Sequence, residues 1–125
     1  MNKISSGLRT LFLVHFIAGL VFGLAYLLIP GTFMGWFGIK VPDLEPYRMI
    51  GAAVLAFAAS SWLGSKAAGW DDVRIIVQTE IVWTVLASLG LLYGLLLLGL
   101  PAAYWVNAII MIIFAIAFIY FYSKK

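Results

Sequence analysis

Between Val73 and Leu98 the chain runs 26 residues with one acidic side chain, Glu80, and, after Arg74 at its very start, no basic one. Gln78, Thr79 and Thr84 stand near that carboxyl. A water-facing helix of this length would carry a charged stripe along one side, and this one carries none. Its length and apolarity suit a bilayer, whose hydrocarbon core takes ~20 apolar residues at ~1.5 Å each. The stretch predicts a membrane helix, the longest of four, with the other three packed around it.

Composition carries the same message. Of 125 residues, 65% are hydrophobic and 10% charged, against about 25% charged in soluble domains. There are too few polar groups to cover a water-facing surface, so lipid must contact most of the molecule, and one domain is the expected count. The absence of cysteine removes disulfides, thiolate nucleophiles, iron–sulfur ligation and c-type haem attachment. A single histidine, His15, excludes a bis-histidine haem within one chain. The net charge of +3 is spread over chain ends and loops. A nucleic-acid partner would need it clustered on one face, and none is expected.

In chain order, residues 8–29 predict the first span. Its basic start resembles a signal peptide, but the apolar run is long and ends at Pro30 without a small-residue cleavage site, so it reads as retained. His15, Gly19 and Gly23 form a stripe that lets a neighbouring backbone approach. Pro30 and Gly31 stop the helix. The linker 31–45, with Phe33, Trp36 and Phe37, predicts a partly helical segment on the membrane surface. It reads either as a connector whose aromatic rings plug the bundle end or as a lid over a cavity. Residues 46–64 predict the second span, opened by Pro46 in its first turn. Its alanines (Ala52, Ala53, Ala56, Ala58 and Ala59) predict a central or broadly packed helix. Asp71 or Asp72 is expected to cap the third span, 73–98. A tight turn at Gly99 to Pro101 leads into the fourth, 101–122.

Six of the eight basic residues (Lys3, Arg9, Lys66, Arg74, Lys124 and Lys125) fall on one side of such a layout, and Lys40 and Arg48 on the other. The positive-inside rule then puts both termini in the cytoplasm. The expected fold is an all-α four-helix transmembrane bundle in the cell membrane. A candidate repeat stands against chance matching in a chain rich in Gly and Leu: Gly19-Leu-Val-Phe-Gly-Leu precedes Pro30 as Gly90-Leu-Leu-Tyr-Gly-Leu precedes Pro101. That arrangement is a 2+2 parallel repeat of two hairpins.

Ionisable residues inside a span are functional candidates by default. Counted from the cytoplasmic end, Glu80 and His15 both lie about seven residues into their helices, ~10 Å deep. At equal depth they could relay a proton or hold a polar ligand group. The repeat sets a different ruler, aligning Glu80 with Arg9, ~9 Å nearer the cytoplasm than His15. Glu80 is then an interfacial carboxylate paired with Arg9 or Lys66, and both placements stay open. His15 and Glu80 supply two metal ligands where a zinc site needs three or four, so no metal is expected. Arg48 and Asn107 form a second polar level near the outer face. Arg48 reads either as snorkelling beside Asp43 or Glu45 or as an anion-binding guanidinium at a cavity mouth. Asn107 reads as an interhelical hydrogen-bonding group or part of that mouth. The ligand-binding candidates are therefore Glu80, His15, Arg48 and Asn107, with no catalytic residue and no cofactor.

The stretch Pro46-Tyr-Arg-Met-Ile-Gly-Ala-Ala, following Pro30-x-x-Phe33 and Trp36-Phe-Gly, resembles small four-span proteins of the DoxX-like kind. The resemblance implies a compact four-helix membrane bundle. Some such proteins are linked to quinone-dependent oxidoreductases and many have no assigned activity, so no catalytic residue transfers to this chain.

Two functions follow as expectations. The first is an accessory subunit of a membrane complex, without catalysis of its own, contacting lipid and either other membrane subunits or further copies of itself. The second is a binding or transport module for a small amphiphile, such as a quinone, lipid or weak acid, held in an intramembrane cavity. A membrane enzyme is the third class: it needs a nucleophile, base or metal site, which no local motif supplies and which only residues brought together from separate helices could form.

Overall fold

The computed structural model describes residues 3–124; Lys125, counted in the charge asymmetry, lies outside them. The described residues form five helices: α1 (Ser6–Leu28), α2 (Pro30–Trp36), α3 (Glu45–Lys66), α4 (Trp70–Leu97) and α5 (Tyr104–Ser123). All but α2 are long and apolar enough to cross a membrane. The protein is thus an all-helical, multi-pass membrane protein with four spans.

The ends of the spans follow local chemistry. Helix α1 starts two residues before the expected 8, because Ser5 Oγ accepts the Leu8 N–H at 3.1 Å. Helix α4 starts at Trp70, ahead of the expected 73, so Asp71 and Asp72 sit inside its first turn. Asp72 reaches back to accept the Gly69 N–H at 3.3 Å. Helix α5 starts later than the expected 101. Gly99 takes φ +70°, a left-handed conformation that suits glycine, and Leu100 N–H returns to Gly94 O at 3.1 Å. The chain has to complete that turn before helix can resume at Tyr104.

Packing runs in pairs. Helix α1 lies mainly against α3, and α4 mainly against α5, with lighter contact between the pairs. This corrects the expectation that three helices surround α4. The reason is the distribution of small residues. A Cβ on Gly51 would stand 2.7 Å from Leu27 N and 2.8 Å from Gly23 O, and one on Gly19 would stand 2.9 Å from Ala58 Cβ. Only glycine lets the α1 and α3 backbones come this close, and close approach is what draws helices together in lipid. Their counterparts on α4 do other work: nothing lies within 4 Å of a Cβ on Gly90, and one on Gly94 would meet Leu100. Helix α3 is not broadly packed either. One side, carrying Gly51, Val54, Ala58, Ser61, Gly64 and Ser65, is buried, while Ala52, Ala53, Ala56 and Ala59 face outward.

The start of α1 and the end of α5 lie together at one end of the bundle, the terminal end. There Ile4, Leu8, Phe12, Trp70, Val73, Val77, Phe114 and Phe118 form the core. Arg9 donates to the carbonyls of Ser65 and Ala67, which satisfies the open C-terminus of α3. At the far end, α2 buries Phe33 and Met34. Phe33 packs edge-on against Phe22 and Tyr26, and Phe37 stacks on Tyr104. The linker is therefore partly helical, and its rings plug the far end of the bundle.

Candidate functional site

Most polar groups of α4 are satisfied within the helix. Thr84 Oγ1 donates to Glu80 O and Ser88 Oγ to Thr84 O, each at 2.7 Å, and Thr79 Oγ1 donates to Ile75 O at 2.9 Å. Such back-bonding lets a hydroxyl sit in an apolar helix without a tertiary partner. Gln78 Nε2 donates to Tyr122 Oη at 3.0 Å and ties α4 to α5. Each of these groups has a hydrogen-bond partner.

Glu80 differs because a carboxyl has no such local solution. It is fully buried. Its Oε2 lies 3.2 Å from His15 Nε2, and Ser61 Oγ donates to its Oε1 at 3.3 Å. Ser60 Oγ stands 3.4 Å from the same oxygen but is closer to Phe57 O, at 2.9 Å. On the other side of the imidazole, Nδ1 is 2.8 Å from Ser61 Oγ. The Nε2–Oε2 approach lies off the line of a ring N–H, so that oxygen has close electrostatic contact without an aligned donor. One proton shared between His15 and Glu80 leaves the pair neutral overall, whether it sits on the carboxyl or makes an ion pair. This matters where a net charge costs several kcal/mol.

The equal-depth ruler therefore holds and the repeat ruler does not. Helices α1 and α4 begin two and three residues earlier than expected, which sets His15 and Glu80 nine and ten residues in, ~14 and ~15 Å along from the helix starts. The interfacial pairing of Glu80 is overturned. Arg9 is on the α3 carbonyls, and Lys66 Nζ lies over the Trp62 ring at 4.4 Å. Ser61, His15 and Glu80 are the side-chain types of a nucleophile, base and orienting acid, but Ser61 gives its hydroxyl hydrogen to Glu80 Oε1 and not to the imidazole. Ser61 is fully buried and does not line the cavity between the helix pairs.

A cavity of about 380 Å³ lies between the two helix pairs and draws its wall from all four spans. At its inner end are His15 and Phe114, whose rings meet edge-on at 4.8 Å. Midway, Phe57 and Trp83 stack at 5.0 Å with 9° between their planes. Gly19, Ala87 and Gly90 supply room, since small side chains leave the space that others would fill. At the far end stand Tyr26, Tyr104 and Asn107. Asn107 is seven residues from Phe114 along α5, so it lies ~10 Å from the His15 floor. Its Oδ1 is buried without a hydrogen-bond partner. A second, wholly apolar hollow of about 330 Å³ between α1 and α5 abuts the first and shares Ala18, Ile110 and Phe114 with it.

Of the four sequence candidates, the structure brings His15 and Glu80 into contact and sets His15 and Asn107 at opposite ends of one cavity. Arg48 pairs with Glu45 on its own helix and does not line that cavity. Sequence reasoning missed Ser61 as a partner, because it lay three residues from the expected helix end. The spacing of Val54, Ala58, Ser61 and Ser65 at three and four residues carried the signal that these share a face.

The site and fold define a multi-pass helical membrane protein with an enclosed polar pair beside an aromatic cavity. Comparison with protein-family models, characterised proteins and solved structures finds no match for this chain.

Proposed function

We propose that this protein is a binding or transport module for a small amphiphile, held between its two helix pairs within the cell membrane, with both termini in the cytoplasm. The observation that carries the reading is the cavity of about 380 Å³, formed by all four spans and mostly apolar, with a few polar groups at its ends. Volumes of about 300–1,000 Å³ with sparse, placed polar groups are the mark of small-molecule sites. An accessory subunit, the first expectation from sequence, needs no such space. The likeness to DoxX-like bundles fits a binding role equally well and adds no chemistry to it.

The cavity is also where small side chains are hardest to explain by packing. Gly90 meets nothing within 4 Å, unlike the glycines that join α1 to α3. Filling the space is the direct test. The protein in mild detergent is titrated with a long-chain alcohol, a fatty acid and a short-tailed quinone while thermal unfolding is followed. At least one should stabilise the wild type, and Gly90→Leu and Ala87→Trp should abolish that shift. No stabilisation by any of the three, or equal stabilisation of the plugged variants, rejects the reading. Orientation is tested separately: the chain lacks cysteine, so single cysteines at Ser123 and Lys40 should be labelled from opposite sides of intact cells, Lys40 from outside.

A further inference from the structure

We infer that the ligand is a single-chain amphiphile whose head carries an acceptor oxygen, held by the phenol hydroxyls of Tyr26 and Tyr104 at the far rim of the cavity, with its tail running inward toward His15. The inference rests on the binding reading above and adds the seat, the head chemistry and the direction of the ligand.

The level of the rim comes from counting along three helices. His15 meets both Glu80 and Phe114, so these residues mark one level, the floor. Tyr26 lies eleven residues from His15, Gly90 ten from Glu80 and Tyr104 ten from Phe114. All three therefore stand ~15 Å from the floor, and all three line the cavity. Gly90 leaves the rim open, with nothing within 4 Å of where a Cβ would be.

The rim holds polar atoms that a ligand can touch. Among the described residues, Glu80 Oε2 and Asn107 Oδ1 are acceptors without a hydrogen-bond partner. Both are covered, so neither meets a ligand. The Tyr26 and Tyr104 hydroxyls are the reverse case: neither hydrogen-bonds within the described chain and neither is covered. The two phenols are near enough to act on each other electrostatically. Their rings are also held in place. Tyr26 stands edge-on to Phe33 at 5.0 Å and stacks on Tyr47 at 6.3 Å, and Tyr104 stacks on Phe37 at 5.3 Å. A side chain already fixed loses little freedom when a ligand arrives.

Head and tail follow from these ends. A phenol donates its O–H, and an oxygen with two lone pairs, as in a carbonyl, accepts from both tyrosines at once. Inward of the rim the wall is Phe22, Val54, Trp83, Ile110 and Met111, which suits a hydrocarbon tail. A volume of about 380 Å³ is small for a ligand site and matches one chain better than two. The rim lies beside the α2 aromatics, and Trp36 among them is exposed, as at a membrane interface. The ligand then keeps the head-to-tail order of a lipid in the far leaflet.

The test uses the protein in nanodiscs and three probes: methyl decanoate brominated at its last carbon, the bromoethyl ester of decanoic acid, and bromodecane. Bromine quenches an indole on contact, and the saturable quenching lost in Trp83→Phe reports occupancy of the cavity. Trp83 is three residues from Glu80 and seven from Gly90, ~5 Å from the floor and ~10 Å from the rim. Bromine at the tail should therefore quench it more strongly at saturation than bromine on the head. Tyr26→Phe and Tyr104→Phe keep the packed rings and remove only the hydroxyls. Each should weaken both esters about two- to tenfold, the range for one neutral hydrogen bond, and leave bromodecane unchanged. Stronger quenching from the head-side bromine overturns the direction, a result that wild type and the Trp83→Phe control give without the tyrosine variants. Unchanged ester affinity in both tyrosine variants overturns the seat, and in either case the binding reading stands. No saturable Trp83 quenching by any probe overturns the binding reading itself, and this inference with it.

Discussion

His15 Nε2 stands 3.2 Å from Glu80 Oε2, on two helices that each have a different main packing partner. Helix α1 lies on α3 and α4 on α5. The imidazole–carboxyl contact, extended by Ser61 of α3, is thus a polar tie between the two pairs, in a region where shape packing is light. Polar ties are specific in lipid because a partner lost is not replaced by water.

A first prediction concerns that tie. Glu80→Ala and His15→Ala each leave the other group buried and unpaired, and each should lower stability by about 3 kcal/mol. The joint change to apolar side chains of similar bulk, His15→Phe with Glu80→Leu, should recover most of the loss. Unfolding in mild detergent, arranged as a double-mutant cycle, measures the coupling. Independent, additive effects would mean that the two groups do not act as a pair.

The glycines should separate by environment. In Gly51→Ala the new methyl meets backbone atoms of Leu27 and Gly23, which cannot turn aside. The α1–α3 pair must part slightly, at about 1–3 kcal/mol. Gly90→Ala meets open space and should be neutral or stabilising by about 0.5–1 kcal/mol, since alanine loses less freedom on forming a helix. Thermal unfolding of the two variants side by side gives opposite signs if the packing is as described.

Phe114 lines both hollows, with Ala18 and Ile110, and packs on both His15 and Phe118. Truncation to alanine should join the hollows and lower stability by about 3 kcal/mol. It should also widen the range of ligand sizes that stabilise the protein, read as thermal shifts with alcohols of increasing length. A variant with wild-type stability and an unchanged length profile would show that Phe114 is not the wall between them.

The outward surface makes the last prediction. Val14, Ile17, Leu86, Leu96, Ile113 and Ile116 are all more than half exposed, an arrangement stable only against hydrocarbon. Alkaline carbonate, which strips peripheral proteins, should leave this one in the membrane pellet. Release into the supernatant as a folded monomer would contradict the membrane assignment.

The four spans were legible in the chain because solvent preference acts on residues one by one. A run such as Val73–Leu98 cannot satisfy water whatever its neighbours do. Helix ends were legible to within a few residues, and they shifted where a cap or turn intervened, as at Ser5, Asp72 and Gly99. His15, Glu80 and Asn107 stood out because lipid makes any polar group conspicuous. Their relations were not legible. Whether Glu80 meets His15 or Arg9 depends on a few residues of register between helices far apart in sequence. That register lies across the light contact between the two helix pairs, which only the folded arrangement reveals. The cavity was least legible of all, since empty space belongs to no residue and arises where Gly90 and Ala87 fail to fill what Phe57, Trp83 and Phe114 enclose.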